Sequence, residues 1–222
     1  MLIFTGNRPY KLHMGLREQQ KIERKQHILD AAAELFARDG FDAVKAEHIA
    51  ETARVSVGTL YNYFPGKNEI LMTLIAIENE RLEDMGQTFA PDFNAPAADI
   101  FSAFLLQYFA PESMLLNKAL WRKGFAISFA DVTSKEARRL RRSDRVLSDQ
   151  VVALAEDLQS RDLLRNDLDS AVFGRTLFNN ANMMFFDFTR SENRTYQDVT
   201  EGIEAMTRAL VAIALPTEQA NK

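Results

Sequence analysis

The sequence contains no cysteine, and its 222 residues include only three histidines. Without cysteine the chain has no disulfide framework, no thiol nucleophile and no cysteine-bound zinc. His13, His27 and His48 all lie in the first quarter of the chain, which leaves little for a histidine-based metal or catalytic site. No apolar run reaches the roughly 18 residues of a membrane helix, and Leu2-Ile3-Phe4 is too short for a signal-peptide core. We therefore expect a soluble, cytoplasmic protein with no membrane contact, metal, cofactor or catalytic residue.

The sequence also lacks the two-residue alternation of a β-strand. Its apolar residues recur every three or four positions, as on the buried face of a helix. This spacing predicts helices at about 19–38, 46–53, 57–63, 67–85, 97–109, 112–130, 134–161, 168–189 and 196–213. Pro111 suits the first turn of its helix, and Thr195 with Asp198 resembles a capping box. The predicted fold class is all-α.

Basic side chains are concentrated near the N-terminus of a chain whose net charge is −4. Between residues 8 and 25 the basic residues are Arg8, Lys11, Arg17, Lys21, Arg24 and Lys25, and the acidic ones are Glu18 and Glu23. This pattern is compatible with a nucleic-acid-binding module joined to a larger acidic body. The alternative is that these basic residues belong to a solvated terminus without a binding role. As a separate matter, Met14 is a second candidate for the residue at which translation starts.

The strongest motif lies between Lys45 and Phe64, where two short helices are joined by a turn at Ala53-Arg54-Val55. Ser56 precedes the second helix, where its hydroxyl can accept a hydrogen bond from a free amide. The residues left facing outward are Val57, Gly58, Thr59, Tyr61, Asn62 and Tyr63. Such a face suits a DNA groove, because hydroxyl groups bond phosphates and asparagine pairs with adenine. A helical hairpin without a DNA role is the alternative.

Four segments carry a family resemblance: Ile28-Leu29-Asp30-Ala31-Ala32-Ala33-Glu34-Leu35-Phe36, Gly40-Phe41, Ile49-Ala50 and Val55-Ser56-Val57-Gly58-Thr59-Leu60-Tyr61-Asn62-Tyr63-Phe64-Pro65-Gly66-Lys67. Together they resemble the TetR family of bacterial transcriptional regulators over about residues 20–82. The resemblance implies a three-helix helix-turn-helix domain, whose third helix enters the major groove, and a homodimer that reads a palindromic operator in double-stranded DNA. It also implies a helical C-terminal domain that binds a small effector and thereby loosens DNA binding.

By position, the resemblance implies a DNA-binding set of Lys45, Ser56, Val57, Gly58, Thr59, Tyr61, Asn62, Tyr63 and Lys67. In it, Lys67 would hold a phosphate together with the free amides at the start of its helix. Three departures affect the operator. Lys45 stands where the family usually has threonine or serine, and Glu47 where some members read a base with a basic side chain. Arg54 replaces the usual glycine of the turn, at a cost of about 1 kcal/mol if the left-handed geometry is kept.

The C-terminal part is unusually rich in phenylalanine and methionine for a well-packed bundle. A cavity lined by such side chains with a few polar anchors is what a small-molecule site needs. The expected ligand-binding residues are Phe101, Phe104, Tyr108, Trp121, Phe125, Asp144, Leu147, Val151, Phe173 and Asn180, of which Asp144 and Asn180 are the polar anchors. The expected effector is largely apolar or aromatic. The alternative is that these residues form only a packed core.

The last two helices carry apolar residues on more than one face, which indicates burial on both sides. We expect a second copy of the chain to cover the outer side, as the family resemblance also implies. The expected dimer-interface residues are Val172, Thr176, Met183, Ile203, Met206 and Leu210. A stripe of arginines lies between residues 138 and 145. Three interpretations are open for it: a solvated helix face, a site for an anionic effector group, or salt bridges across a dimer.

The expected domains are a flexible arm (1–19), a helix-turn-helix domain (20–66, with the resemblance extending to about 82), an effector-binding and dimerisation domain (67–215) and a tail (216–222). The expected function is that of a ligand-responsive DNA-binding regulator, a repressor released by its effector. Two alternatives are an all-helical enzyme or carrier acting on an apolar ligand, and an interaction protein that has lost operator binding. Arg54 and Glu47 are the residues that favour the interaction protein.

Overall fold

The computed structural model describes residues 15–109 and 115–216, and every regular element in those ranges is a helix. In chain order the helices are α1 (Leu16–Asp39), α2 (Ala46–Thr52), α3 (Val57–Tyr63), α4 (Lys67–Thr88), α5 (Ala97–Phe109), α6 (Lys118–Ala130), α7 (Lys135–Ser160), α8 (Ser170–Arg190) and α9 (Tyr196–Ala212). The predicted all-α fold class is confirmed. None of the helices in this part of the chain is long and apolar enough to span a bilayer.

Short-range hydrogen bonds set several helix ends where the sequence predicts them. Gly40 follows α1 with a φ of +81°, and its amide donates to the Phe36 carbonyl at 3.1 Å. At the start of α9, the Thr195 side chain accepts from the Asp198 amide while the Asp198 carboxylate accepts from the Thr195 amide. This reciprocal pair is the predicted capping box.

Helix α6 begins six residues later than predicted, at Lys118 instead of residue 112. Asn117 has an extended backbone, and its side chain accepts a hydrogen bond from the Leu120 amide at 3.0 Å, so it caps the helix. The predicted first-turn Pro111 lies outside the described residues. The same holds for Met14 and the rest of the arm before residue 15, and for the tail after residue 216.

The chain divides into two compact units. One comprises the chain up to Glu78 together with Leu116–Arg138, and the other comprises Asn79–Leu115 together with the chain from Arg139 onward. Helices α4 and α7 therefore each contribute to both units. The domains expected from the sequence are assigned by function, whereas these units are defined by packing. The expected domain limits therefore stay a prediction.

Each unit has its own apolar core. In the first unit α1 packs on α2 and α2 packs on α3, and Ile28, Ile49 and Leu60 are fully buried. In the second unit α5 packs against α8 and α9. Gly174 of α8 lies so close to α7 that an added Cβ would come within 2.7 Å of the Val152 Cα. A glycine is therefore required at that crossing.

Candidate functional site

The turn between α2 and α3 is built by short-range contacts. The Val55 amide donates to the Ala50 carbonyl at 2.9 Å and the Arg54 amide donates to the Glu51 carbonyl at 3.0 Å. Arg54 adopts a φ of +56°, so the left-handed geometry is kept despite the arginine. The side chain at this position carries the conformational cost expected from the sequence.

Ser56 caps α3 as predicted. Its hydroxyl oxygen accepts from the Thr59 amide at 3.0 Å and lies 2.8 Å from the Thr59 hydroxyl. Leu60 and Phe64 anchor the other side of the helix in the core. Because α3 is capped at one end and buried along one face, its outward face has a fixed orientation.

The outward face of α3 presents the side chains that the sequence predicts for it. The Tyr61 side chain is 49% exposed. Asn62 and Gly58 are also exposed, and Val57, Thr59 and Tyr63 are partly exposed. Hydroxyl and amide groups on one helix face can contact phosphate oxygens and base edges in a major groove.

Gly58 has no packing reason to be glycine. An added Cβ would have the Ser56 Oγ as its nearest neighbour, at 4.0 Å, and the backbone has no positive φ there. Gly58 is the second residue of α3, where glycine is less favourable than alanine by less than the roughly 1 kcal/mol of a helix interior. The absence of a side chain therefore costs stability without serving the fold, as expected where another molecule's backbone approaches closely.

Lys45 and Glu47 flank the start of α2 and are both exposed. Lys45 is the N-cap residue of α2, and no side chain caps that helix. Lysine offers no acceptor oxygen for a cap, so the N-cap residue gives the first amides of α2 no side-chain partner. Both exposed side chains are accessible to another molecule, as their predicted positions near DNA require.

The structure places Lys67 in a different role from the predicted phosphate contact. Its ammonium donates to the carbonyls of Phe41, Asp42 and Val44 at 2.8, 3.1 and 3.0 Å, and it lies 4.6 Å from the centre of the Phe41 ring. An ammonium has three protons, and three carbonyls use all of them. Lys67 therefore fastens the loop between α1 and α2 to the start of α4.

Lys67→Met is expected to lower the free energy of unfolding by about 2 kcal/mol, because a charged donor to three carbonyls is lost. Lys123→Met is the matched control, since Lys123 lies 5.1 Å from the centre of the same ring but pairs with the exposed Asp42 carboxylate. That exposed pair contributes about 1 kcal/mol at most. Urea denaturation measures both. Equal stability of the two variants, with operator binding lost only in Lys67→Met, would restore the phosphate role.

Six of the ten predicted ligand-binding residues are buried in the second compact unit: Phe101, Phe104, Tyr108, Leu147, Val151 and Phe173. The rings of Phe101 and Phe173 meet edge to face with centroids 5.8 Å apart, and Phe104 meets Tyr108 in the same way at 5.3 Å. We call these six residues the aromatic cluster. It has the apolar chemistry of a small-molecule site.

A polar network that starts at Tyr108 of the aromatic cluster is not predicted from the sequence. The Tyr108 hydroxyl donates to the Gln150 Oε1 at 2.7 Å, and the Gln150 Nε2 donates to the Glu83 carbonyl at 2.8 Å. Burial raises the pKa of Tyr108, so its hydroxyl remains a donor. Gly86 leaves room for this contact, because an added Cβ would lie 2.5 Å from the Tyr108 hydroxyl. Gln150 sits outside the apolar register of α7, which hides its role in the sequence.

Two further polar side chains of this unit are candidates for ligand contacts. Asp144 is partly buried on the core side of α7, and burial raises its pKa to about 6. Arg81 has its Nε and Nη2 buried without a hydrogen-bond partner among the described residues. The sequence predicts Asp144 from its register, but Arg81 resembles any exposed charge on an amphipathic helix.

Three predicted ligand residues lie elsewhere. Trp121 and Phe125 are on α6 and belong to the first compact unit, where their rings are 5.7 Å apart. Asn180 is exposed, and its side chain donates to the Thr176 carbonyl one turn earlier on α8. Asn180 was thus wrongly assigned to the cavity-facing side, because both flanks of α8 carry apolar residues and the pattern does not say which one faces the core.

The predicted dimer face is exposed apart from one residue. Val172 and Met183 of α8 are 55% and 57% exposed, Thr176 is exposed, and Met206 and Leu210 of α9 are partly exposed. Ile203 is fully buried within the chain and cannot contact a second copy, so that assignment is wrong. It lies on the side of α9 that packs on the rest of the unit.

The arginine stripe of α7 lies on the exposed side of that helix. All five arginines between residues 138 and 145 are exposed. Arg139 pairs with Glu80 of α4 at 2.8 Å, and Arg138 donates to the Thr133 carbonyl. These contacts are those of a solvated helix face.

Comparisons with known proteins agree with the geometry of α2 and α3. Residues 28–73 match the family described as bacterial regulatory proteins, tetR family. The repressor KstR of Rhodococcus jostii is 45% identical over 65 residues, which cover 29% of this chain and 31% of KstR. TtgW of Pseudomonas putida, an uncharacterised HTH-type transcriptional regulator, is 31% identical over 104 residues, covering 46% of this chain and 75% of TtgW.

Solved structures share the fold over most of the chain. The FadR repressor of Thermus thermophilus, solved with lauroyl-CoA, superposes with a TM-score of 0.55 at 24% identity and covers 85% of this chain and 93% of FadR. The curated KstR repressors are matched over 31% to 57% of their own length. The helix-turn-helix match and the match over most of TtgW agree with the all-helical fold, and the chain belongs to the TetR family of bacterial regulatory proteins.

Proposed function

We propose that this protein is a transcriptional repressor that binds a palindromic DNA operator as a homodimer and is released by a largely apolar effector. The observation that carries the proposal is the outward face of α3, a capped and core-anchored helix that exposes Tyr61, Asn62 and an otherwise costly Gly58. The relatives named as repressors support the direction of regulation. The proposal assigns no catalytic residue.

The aromatic cluster supports an apolar effector. Its buried rings would hold a hydrocarbon or aromatic body, while Asp144 and Arg81 would meet polar groups of the ligand. FadR of Thermus thermophilus carries an acyl chain joined to an anionic head, lauroyl-CoA, on the same fold. We expect an effector of comparable character for this chain.

The exposed apolar side of α8 and α9 supports the homodimer. Val172, Met183 and Ile213 are more than half exposed, which is unfavourable for side chains of this type unless a partner covers them. A dimer places two copies of α3 at a fixed spacing that must match successive major grooves. Effector binding would favour a spacing that does not match, so the operator is released by a population shift.

The proposal is tested by selecting genomic fragments with the purified protein at moderate salt and footprinting the tightest one. We expect a protected pseudo-palindrome with half-sites about one helical turn or more apart. Tyr61→Ala and Asn62→Ala are expected to abolish the footprint with folding intact. Asn193→Ala, which removes an exposed asparagine from the loop before α9, should leave it unchanged. Only weak, salt-sensitive binding without sequence preference would contradict the proposal.

A further inference from the structure

An open groove of about 460 Å³ lies on the second compact unit. It is formed by the segment leading into α5, the turn after α7 and the last turns of α9. Its apolar lining includes Phe93, Pro96, Ala98, Leu163, Val211 and Leu215. The volume is within the range of small-molecule sites, and the lining contains neither a residue of the aromatic cluster nor a residue of α3.

The walls of the groove are held in place by hydrogen bonds. The Arg165 amide donates to the Ala214 carbonyl at 2.9 Å, joining the turn after α7 to the end of α9. The Gln159 Nε2 donates to the carbonyls of Arg165 and Leu168, both at 2.9 Å. A site that is already ordered binds its ligand without the entropic cost of forming the walls.

The groove is electrically asymmetric. Arg208 of α9 lines it and is exposed, with no ion pair or hydrogen bond from its side chain within the described ranges. The Arg161 guanidinium lies 3.6 Å from the centre of the Phe93 ring, outside the lining, and pairs with Asp157 at 3.0 Å, so Arg208 is the cation that the groove itself offers. None of the described lining residues is acidic. An apolar trough with a cation at its edge complements an amphipathic anion.

This groove is separate from the predicted dimer face. Met206 and Leu210 are each two positions from Arg208, so they lie about 160° around α9 from it. Gly202 lies on the side of α9 that meets α8, since its added Cβ would be 3.3 Å from the Met184 sulfur. A second copy covering the α8–α9 face would therefore leave the Arg208 side of α9 open.

We propose that this groove is a second small-molecule site, for an amphipathic anion whose hydrocarbon chain lies in the trough and whose carboxylate pairs with Arg208. The site goes beyond the effector function proposed above and does not depend on it. The carboxylate and the guanidinium form a charge-assisted pair. The hydrocarbon chain of the ligand displaces water from the apolar walls of the groove.

The test measures binding of decanoate and decanol to the full chain without DNA, by calorimetry. Arg208→Gln is expected to weaken decanoate binding roughly fivefold, as for loss of one exposed ion pair, and to leave decanol binding unchanged. Ala212→Trp places a large side chain over the groove and should remove one decanoate site and one decanol site per chain from the calorimetric stoichiometry. Arg145→Gln, an exposed arginine of α7, is the matched control and should have no effect.

A decanoate analogue with a terminal diazirine distinguishes the groove from the aromatic cluster. Photolysis and peptide mass spectrometry should place the adducts on residues 93–98, 163 or 211–215. Adducts confined to the aromatic cluster, or none that saturate, would overturn the proposal. Equal weakening by Arg208→Gln and Arg145→Gln would do the same. Loss of the footprint in Tyr61→Ala tests only the repressor function, so the two proposals fail independently.

Discussion

Gly58→Ala is expected to raise the free energy of unfolding, by less than about 1 kcal/mol because the residue lies in the first turn of α3, and to weaken operator binding roughly tenfold. Both effects come from one methyl group. In the free protein it meets nothing closer than the Ser56 Oγ at 4.0 Å, so it adds helix propensity without a clash. In the proposed complex with DNA it would point outward from α3, where DNA backbone or base edges would approach within van der Waals contact.

Urea denaturation measures the stability of Gly58→Ala, and footprinting titrations measure its affinity for the operator. Gly174→Ala provides the contrast, since its Cβ would meet the Val152 backbone at 2.7 Å. That variant should lose stability while its folded fraction binds DNA normally. Undiminished operator affinity in Gly58→Ala would show that DNA does not approach α3 at this residue.

Asp144→Asn is expected to stabilise the protein at neutral pH by up to about 3 kcal/mol. Burial raises the pKa of Asp144 from its ordinary 3.8 to about 6. Between those two values the unfolded chain loses the proton while the folded chain retains it. The cost of this residue to stability therefore grows as pH rises from 4 to 6, and it is fully present above pH 7.

The asparagine variant should lose its advantage in acid. Thermal unfolding of both proteins at several pH values would show a difference that shrinks below about 1 kcal/mol near pH 4.5. Asp149→Asn, which removes a carboxylate from an exposed position of the same helix, is the matched control. A difference for Asp144→Asn that does not change with pH would contradict the raised pKa. If Asp144 contacts the effector, the stabilised variant should also respond less to it.

Features governed by short-range interactions were predictable from the sequence. The Ser56 cap, the left-handed Arg54, the stop at Gly40 and the capping box of α9 all form between residues a few positions apart. The residue types at neighbouring positions are therefore sufficient to predict them. For the same reason the outward face of α3 could be named residue by residue, because Leu60 and Phe64 settle which side is buried.

By itself, the sequence determined the all-helical class, the helix-turn-helix and which residues of α3 are exposed. The tertiary structure decided the partners of long or ambiguous side chains. The ammonium of Lys67 donates to carbonyls 23 to 26 residues away in the sequence. Only the folded structure brings those carbonyls to it, so the sequence alone predicts a phosphate contact instead. Ile203 and Asn180 lie on helices with apolar residues on both flanks, so only packing determines which flank is inside. Periodicity specifies a face, but the neighbouring helices specify whether that face is covered.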